Sequence, residues 1–338
     1  MNDKHRILAE EMLKQTAEEI CMKKKQHAFT GRVFPVLMII ITILVTMFTG
    51  CSRTRDTIPG PSGETEPEED WYSGMIEVDV GNGETRWIRA YDSVPVSMLK
   101  ADQFKETDGG YLLYTGNEYT ALQGIDVSTF QGEIDWSAVA ADGIDFAMLR
   151  IGGRGYGSGE IYEDDSFQIN FQGAIDNGIQ VGGYFFSQAV TPEEAREEAD
   201  YAVSILKELP EGSVTMPIAF DWETVGDYEA RTADIDGETL TACAKAFCAR
   251  IAEAGYQPIV YAYRYLAYEM YDLEELQPYG LWISTLDGSP DFYYAHDMWQ
   301  YTENGVVNGI QTRVDLNLYF IPAAPAAEPA EQTGEPAE

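Results

Sequence analysis

The stretch MPIAFDWE, residues 216–223, is an apolar run that ends in two acids, Asp221 and Glu223. Side chains alternate across a β-strand, so these two carboxylates point to one side and Trp222 points to the other. A buried strand rarely carries charge without a partner or a chemical task. Paired carboxylates suit general acid and base catalysis. With 57 Asp and Glu in 338 residues, however, an Asp-x-Glu string also arises by chance. The position of the pair in the fold therefore has to support the inference.

Apolar strand-like segments alternate with helical patterns between residues 121 and 322. Such alternation predicts strand and helix units with a parallel sheet. Eight strands in this length indicate a closed (β/α) barrel of the α/β class, with shortened helices near its end. We predict strands at 122–127, 145–151, 179–186, 216–223, 258–263, 280–285, 297–301 and near Val314, and helices within 136–142, 164–178, 191–209 and 237–255.

Active sites of β/α barrels lie at the C-terminal ends of the strands. Asp126 ends the first predicted strand, Asp221 and Glu223 end the fourth, and Asp315 follows Val314 at the last. The sequence therefore predicts one site that contains four carboxylates. Aromatic residues are frequent at the same strand ends, and flat rings among acidic catalysts favour glycoside hydrolysis.

Other patterns have ordinary explanations. The stretch IGGRGYGSGE lacks the Gly-Lys-Ser/Thr of a P-loop, so we interpret it as a mobile loop at the barrel mouth. His296 has no evident Ser partner and is interpreted as structural. Cys243 and Cys248 share a predicted helix, where their Cα atoms would lie about 8 to 9 Å apart, so we expect buried thiols. No His or Cys spacing indicates a metal site, and no cofactor is expected.

The chain carries a formal net charge of −35, which argues against a nucleic-acid partner. Basic residues precede VFPVLMIIITILVTMFTG, an uncharged segment whose helix would span about 27 Å, enough for a membrane. This predicts a cytoplasmic N-terminus and an extracellular remainder. The sequence Thr49-Gly50-Cys51-Ser52 also resembles a lipoprotein cleavage site. An uncleaved anchor and a lipoprotein acylated at Cys51 both remain open.

Composition divides the chain into six segments. Residues 71–120 have strand character and turn signals, but no assignable role. Regions rich in Pro, Gly and acid cannot bury a core and are expected to be flexible. The predicted segments are a basic cytoplasmic head (1–32), a transmembrane or lipoprotein signal segment (33–51), a flexible linker (52–70), a small β-rich extension (71–120), the barrel (121–322) and a disordered acidic tail (323–338).

An ordered series of motifs resembles the family 25 glycoside hydrolases. It runs from GIDVSTFQGEIDW through FAMLRIGG, DDSFQINFQGAIDNGIQVGGYFF and MPIAFDWE to MWQYTENGVVNGIQTRVDLN. The members are lysozymes that cleave the β-1,4 bond between N-acetylmuramic acid and N-acetylglucosamine in bacterial peptidoglycan. The resemblance implies an irregular, flattened (β/α) barrel and glycan strands as the partner. We expect the protein to be a monomer.

The resemblance also implies roles for individual residues. Glu223 matches the general acid, and Asp221, Asp126 and Asp315 match the other active-site carboxylates. The implied substrate-binding residues are Tyr184, Arg150, Trp282 and Gln300. Many members have Tyr-His-Phe where this chain has Tyr-Phe-Phe at 184–186, which concerns substrate specificity.

Three functional questions remain open at this point. The sequence does not decide between nucleophilic assistance by the substrate acetamido group, which the resemblance favours, and activation of a water. A non-catalytic peptidoglycan-binding or scaffold protein on the same fold is the alternative to an enzyme. A hydrolase acting on another amino-sugar polymer is a third hypothesis.

Overall fold

In a computed structural model, the structure describes residues 74–323, except for 82, 227–229 and 286. The strands are β1 (Met75–Gly81), β2 (Glu84–Arg89), β3 (Phe104–Glu106), β4 (Leu112–Tyr114), β5 (Tyr119–Val127), β6 (Phe146–Arg154), β7 (Ile161–Glu163), β8 (Gln180–Ser187), β9 (Val214–Trp222), β10 (Pro258–Tyr263), β11 (Gly280–Ser284), β12 (Met298–Gly305) and β13 (Val314–Pro322). The α-helices are α1 (Trp136–Ala141), α2 (Phe167–Asp176), α3 (Pro192–Leu206), α4 (Gly237–Glu253) and α5 (Leu273–Leu276).

Eight strands close into a barrel in the order β5, β13, β12, β11, β10, β9, β8 and β6, with β5 pairing with β6. The predicted barrel is therefore confirmed. The expectation of parallel strands is wrong for β13, which runs antiparallel to both β12 and β5. Only residues 306–313 separate β12 from β13, and a parallel crossover needs a dozen or more.

The helices pack outside the barrel. Helix α3 begins as predicted, with Pro192 in its first turn and the Thr191 hydroxyl accepting from the Glu194 backbone N–H. Between β10 and β11 there is only a π-helical turn, Leu266–Met270, and the four-residue α5. The described residues between β11 and β12 and between β12 and β13 contain no helix. The predicted weakening of the helices near the end is confirmed.

The segment before β5 covers the outer face of these last strands. The ring of Phe104 packs edge-on against Trp299 at 5.1 Å and against Phe320 at 6.3 Å. Val94 and Leu99 belong to the same buried cluster as the outer barrel residues. The predicted β-rich extension thus shares a hydrophobic core with the barrel, and it occupies the side where helices are missing.

The glycine-rich stretch at residues 151–160 differs in part from its prediction. It is a hairpin in which β6 continues through Arg154 and pairs antiparallel with β7. Gly152 permits this pairing, because a Cβ there would lie 2.2 Å from the Tyr162 carbonyl oxygen. Arg154 is buried, and its Nε donates to Glu198 at 2.7 Å. The interpretation as a loop is therefore wrong for residues 151–154, which are strand, whereas residues 155–160 form the connection between β6 and β7.

The interpretations of His296 and the two thiols are confirmed. His296 is buried beside Phe292 and Phe320, and its Nδ1 lies 3.0 Å from the Tyr294 carbonyl oxygen. Burial lowers the pKa of His296 to about 4. Cys243 and Cys248 are buried and unbridged.

Several predictions fall on parts of the chain that the structure does not describe. These are the basic head, the anchor or signal segment at 33–51, the linker, Cys51, and the tail from residue 324. Within residues 74–323, apart from the gaps given above, no helix has the length and apolar character needed to cross a membrane.

Candidate active site

All eight residues predicted for the site line one cavity of about 420 Å³. It opens at the ends of the barrel strands, where Asp126 on β5 is directly paired with Asp315 on β13. Asp221 stands near the end of β9, and Glu223 follows that strand. Trp222 is 1% exposed and packs outside the barrel, as alternation predicts. The cavity is lined by Asp126, Ser128, Phe130, Gln131, Arg150, Tyr184, Phe186, Asp221, Glu223, Tyr261, Tyr263, Trp282, Ser284, Gln300, Glu303 and Asp315.

Two buried amides hold Asp126. The side-chain nitrogens of Asn317 and Gln300 donate to the same oxygen, Oδ2, at 2.8 and 2.9 Å. Each amide is fixed in turn, because Trp282 Nε1 donates to Asn317 and the Tyr261 hydroxyl donates to Gln300. Burial raises the pKa of Asp126, and the two amide hydrogen bonds oppose that rise. The network therefore favours an ionised, oriented Asp126.

Asp221 and Glu223 act as a pair. Burial raises the pKa of Asp221 well above its usual value, and the negative charges of Glu223 and Asp126 add to the effect. Burial and then the charge of Asp126 raise the pKa of Glu223. The hydrogen bond between the two carboxyls raises the pKa of Asp221 and lowers that of Glu223. The pair thus retains a proton more readily than free carboxylates do, and the pKa of Asp221 is raised more than that of Glu223.

Burial is a larger cause of the raised pKa of Glu223 than repulsion by the neighbouring charge of Asp126. Asp221 Oδ1 is buried and has no hydrogen-bond partner among the described residues. A buried, unpartnered oxygen in a cavity is suited to pairing with a polar group of a ligand.

Asp315 adds a further carboxyl that retains its proton. Burial, followed by the charge of Asp126, raises its pKa to about 9. At neutral pH Asp315 therefore retains its proton and can donate a hydrogen bond to the neighbouring Asp126. Glu303, which the sequence reasoning missed, lies on the same cavity wall and contributes to the shift.

Arg150 is held by a residue that the sequence reasoning did not identify. Its Nε and Nη2 both contact Asp164 Oδ2, at 2.7 and 2.6 Å. Its guanidinium lies over the Phe130 ring, 4.9 Å from the centroid. Asp164 is only 14 residues away and is the first residue of the motif DDSFQINFQGAIDNGIQVGGYFF, but its contact with Arg150 was not predicted, because the intervening hairpin was interpreted as a loop.

The aromatic residues of the site differ in exposure. Trp282 is 2% exposed and contacts Tyr261 at 4.9 Å and Tyr184 at 6.3 Å between ring centroids. Trp282 therefore supports the cavity from beneath and orients Asn317 through its indole N–H.

Gln188 positions the main chain at Glu223. It is fully buried, and its Nε2 donates to the Glu223 carbonyl oxygen at 3.1 Å. Its Oε1 accepts from the Thr232 hydroxyl at 2.9 Å, which joins the acid to the loop that follows. Glu223 lies beyond the last residue of β9, so the Gln188 side chain, rather than the backbone of a neighbouring strand, donates to its carbonyl oxygen. A lone Gln after a strand is too common for sequence reasoning to select it.

No group of three or more His, Cys, Asp or Glu suited to a metal ion occurs in the described part of the chain. The donors that line the cavity are carboxyls, amides and hydroxyls, together with the guanidinium of Arg150.

The family model for Glycosyl hydrolases family 25 matches residues 125–310, more than half of the 338 residues. The chain belongs to glycosyl hydrolase family 25. This membership agrees with the closed barrel and with the resemblance found in the sequence. The match includes β6 to β12 and all the site residues named above except Asp315 and Asn317.

Two curated lysozymes are similar to this family 25 chain. Lysozyme M1 of Streptomyces globisporus is 36% identical over 85 residues, which are 25% of this chain and 27% of that protein. The autolytic lysozyme of Clostridium acetobutylicum is 25% identical over 200 residues, 59% of this chain and 56% of that protein. The chain thus spans less than two thirds of the length of either relative.

Two solved structures have a fold similar to that of this chain. The modular autolysin LytC from Streptococcus pneumoniae, in complex with a synthetic peptidoglycan ligand, has a TM-score of 0.54 and 22% identity, covering 73% of this chain and 57% of that chain. The spore cortex lytic enzyme SleM of Clostridium perfringens has a TM-score of 0.50 and 22% identity, covering 60% of this chain and 68% of that chain. At these identities the likeness concerns the fold alone.

Proposed function

We propose that the protein is a muramidase that hydrolyses the β-1,4 bond between N-acetylmuramic acid and N-acetylglucosamine in peptidoglycan. The observation that carries the proposal is the convergence of Asp126, Asp221, Glu223 and Asp315 in one cavity of a family 25 barrel. The lysozyme names of the curated relatives and the peptidoglycan ligand of LytC support the substrate.

In this mechanism Glu223 is the general acid. Its raised pKa favours the protonated form that must donate to the leaving oxygen. An oxocarbenium-like centre then develops at the anomeric carbon of the muramic acid. The two amides that hold Asp126 favour its ionised form, which supplies negative charge at the same strand ends. Glu223, once deprotonated, is available to take a proton from the water that completes hydrolysis.

We favour nucleophilic assistance by the acetamido oxygen of the substrate. Asp221 Oδ1 is buried and unpartnered among the described residues, so it is suited to accepting the acetamido N–H and orienting that group. The alternative has Asp221 assisting an attacking water. The stereochemistry of the product distinguishes the routes, because acetamido assistance retains the anomeric configuration, whereas direct attack by water inverts it.

We also propose that the enzyme acts as a monomer at the outer face of a cell membrane, held there by residues 33–51. This proposal rests on the basic residues before an uncharged apolar segment and on the flexible composition of residues 52–70. Mass spectrometry of the mature N-terminus tests the form of attachment. A lipidated Cys51 supports the lipoprotein, and an intact segment 33–51 supports the uncleaved anchor.

The test of the proposed activity is release of reducing ends from purified peptidoglycan. We expect wild type to release them and Glu223→Gln to lose at least about 100-fold in kcat while it keeps its fold. Unchanged turnover in Glu223→Gln would contradict the role of Glu223. Binding of peptidoglycan without products by wild type would instead favour the non-catalytic scaffold.

A further inference from the structure

Phe130 is an apolar ring that the proposed mechanism does not use. It is 65% exposed, the highest exposed fraction among the large aromatic side chains of the described residues, and it lines the cavity. Leaving a phenyl ring in water is unfavourable by comparison with burying it. Its position beside a polar cavity makes the ring a candidate contact for a ligand.

The turn that carries Phe130 is held firmly. Residues Thr129–Gln131 form one turn of 3₁₀ helix after β5, and the Ser128 hydroxyl accepts from the Phe130 backbone N–H at 3.2 Å. The Gln131 side chain also bonds to Ser128, because its Oε1 accepts from the Ser128 backbone N–H at 2.8 Å. Asp164 Oδ2 accepts from the Thr129 N–H at 3.1 Å. The exposed ring therefore projects from a turn that is hydrogen-bonded at each of its residues.

One oxygen of Asp164 connects this turn to Arg150. Oδ2 contacts the Thr129 N–H and both Nε and Nη2 of Arg150, while Oδ1 accepts from the Ser166 N–H at 2.9 Å. The Asp164 side chain is fully buried and that of Arg150 is 10% exposed. Arg150 in turn lies over one face of the Phe130 ring. The guanidinium occupies that face, so a ligand ring has the opposite face available.

The barrel order places Phe130 at one side of the mouth. Its turn follows β5, and β5 lies opposite β10 in the ring of eight strands. Tyr263, at the end of β10, lines the other side, where its hydroxyl lies 2.7 Å from Thr224 Oγ1. A glycan strand crossing the mouth between these sides would pass over the four carboxylates.

We propose that Phe130 forms a stacking subsite for a pyranose ring of the glycan strand, and that Asp164 is the residue that positions it. This inference rests on the proposed muramidase function. The apolar C–H face of a sugar would lie on the free face of the phenyl ring, and the guanidinium would hold the ring from behind. The subsite carries no proton to transfer, so it contributes to substrate binding in the ground state and the transition state alike.

The test is steady-state hydrolysis of soluble, uncross-linked glycan chains. We expect Phe130→Ala and Phe130→Leu to raise KM about 3- to 10-fold with kcat within about 2-fold of wild type. Phe130→Trp, which keeps a flat ring, should retain the wild-type KM. Leucine separates stacking from general apolar contact, because it is apolar but has no flat face. Ile169→Ala is the matched control, since Ile169 is 70% exposed on α2 and does not line the cavity.

The role of Asp164 is tested by coupling. Asp164→Asn should raise KM, and the double variant Asp164→Asn/Phe130→Ala should show the KM of Phe130→Ala alone. A general folding defect would instead lower the melting temperature and give additive effects. KM values that multiply in the double variant would contradict positioning through Phe130 and would assign the effect of Asp164 to Arg150, which it also holds at the cavity.

A binding arm separates this inference from the proposed function. The same glycan chains are titrated calorimetrically into Glu223→Gln, with and without Phe130→Ala. A Kd raised about 3- to 10-fold by Phe130→Ala supports the subsite even if wild type proves inactive. An unchanged Kd or KM in Phe130→Ala, or a fall in kcat alone, would overturn the subsite even if wild type is a muramidase.

Discussion

Replacing Asn317 by leucine tests whether the amide network keeps Asp126 ionised. Asn317 is fully buried, donates to Asp126 Oδ2 at 2.8 Å and accepts from Trp282 Nε1 at 2.8 Å. Leucine has a similar shape but makes neither hydrogen bond. A hydrogen bond to a charged group contributes about 1.5–3 kcal/mol, and an unsatisfied buried donor costs about 1–3 kcal/mol. We expect Asn317→Leu to lower the free energy of unfolding by about 2.5–6 kcal/mol at pH values where Asp126 is ionised.

The pH dependence of this loss identifies its cause. Burial raises the pKa of Asp126 in the folded protein above its value of about 3.9 in the unfolded chain. The free energy of unfolding therefore falls as the pH rises from the unfolded-state pKa to the folded-state pKa. Removing the Asn317 donor raises the folded pKa further and widens that interval. The deficit of Asn317→Leu should therefore be smallest below about pH 4, where Asp126 is protonated in both states. It should grow once the pH exceeds the pKa that Asp126 has in the folded wild type.

Urea unfolding of both proteins at several pH values measures this difference. Trp282→Phe is the control, because it removes the indole N–H but leaves the bond between Asn317 and Asp126. Its stability loss should vary little with pH. A deficit in Asn317→Leu that is equally independent of pH would refute the reasoning that Asn317 supports the charge of Asp126.

Activity provides a second measure of the same change. The negative charge of Asp126 raises the pKa of Glu223. If Asn317→Leu leaves Asp126 neutral over more of the pH range, the pKa of Glu223 falls and Glu223 loses its proton at a lower pH. The alkaline limb of the kcat/KM profile should move to lower pH. A limb that moves to higher pH would show that the charge of Asp126 does not act on the acid.

Three further predictions address other parts of the molecule. Gln188→Met should lower kcat about 100-fold with little change in KM, because the Glu223 carbonyl oxygen loses its hydrogen-bond donor. An unchanged kcat would show that Gln188 has only a structural role. Burial raises the pKa of Glu198 to about 7 despite its Arg154 partner, so the free energy of unfolding should fall as the pH rises from about 4.5 to 7. Urea unfolding of Glu198→Gln should show no such fall. If the variant keeps the same pH dependence, Glu198 is not its cause. Phe104→Ala should lower the free energy of unfolding by about 2–3 kcal/mol, less than the loss for a fully buried phenylalanine, because Phe104 is only partly buried. A loss under about 0.5 kcal/mol would show that the extension does not stabilise the barrel.

Strand positions were the most predictable feature of this protein. Each predicted barrel strand overlaps an observed one, and Pro258–Tyr263 matches exactly in extent. Apolar runs bounded by polar residues are local signals, so they can be read without knowledge of the fold. The direction of β13 could have been inferred from its short connection, but the hairpin formed by β6 and β7 could not. Gly152 and Gly153 are explained by the close approach of Tyr162, whose backbone carbonyl oxygen and side-chain hydroxyl would lie against a Cβ at these two positions.

The same division holds for the site. All eight predicted residues line the cavity, because strand alternation and barrel topology place strand-end side chains at one mouth. The residues that support them, among them Asn317, Asp164, Gln188 and Phe130, were not predicted. They act through single hydrogen bonds or one ring contact, and such contacts leave no periodic trace in the sequence.

The sequence by itself determined which carboxylates meet, since their positions at strand ends follow from a local period of two. Only the tertiary structure decided their protonation. The pKa values of Asp221, Glu223 and Asp315 are raised first by burial, which exists only when the barrel closes. The amides that oppose this effect at Asp126 lie 174 and 191 residues away along the chain. Hydrogen bonds over such separations depend on the register between the first and last strands, which no local pattern encodes.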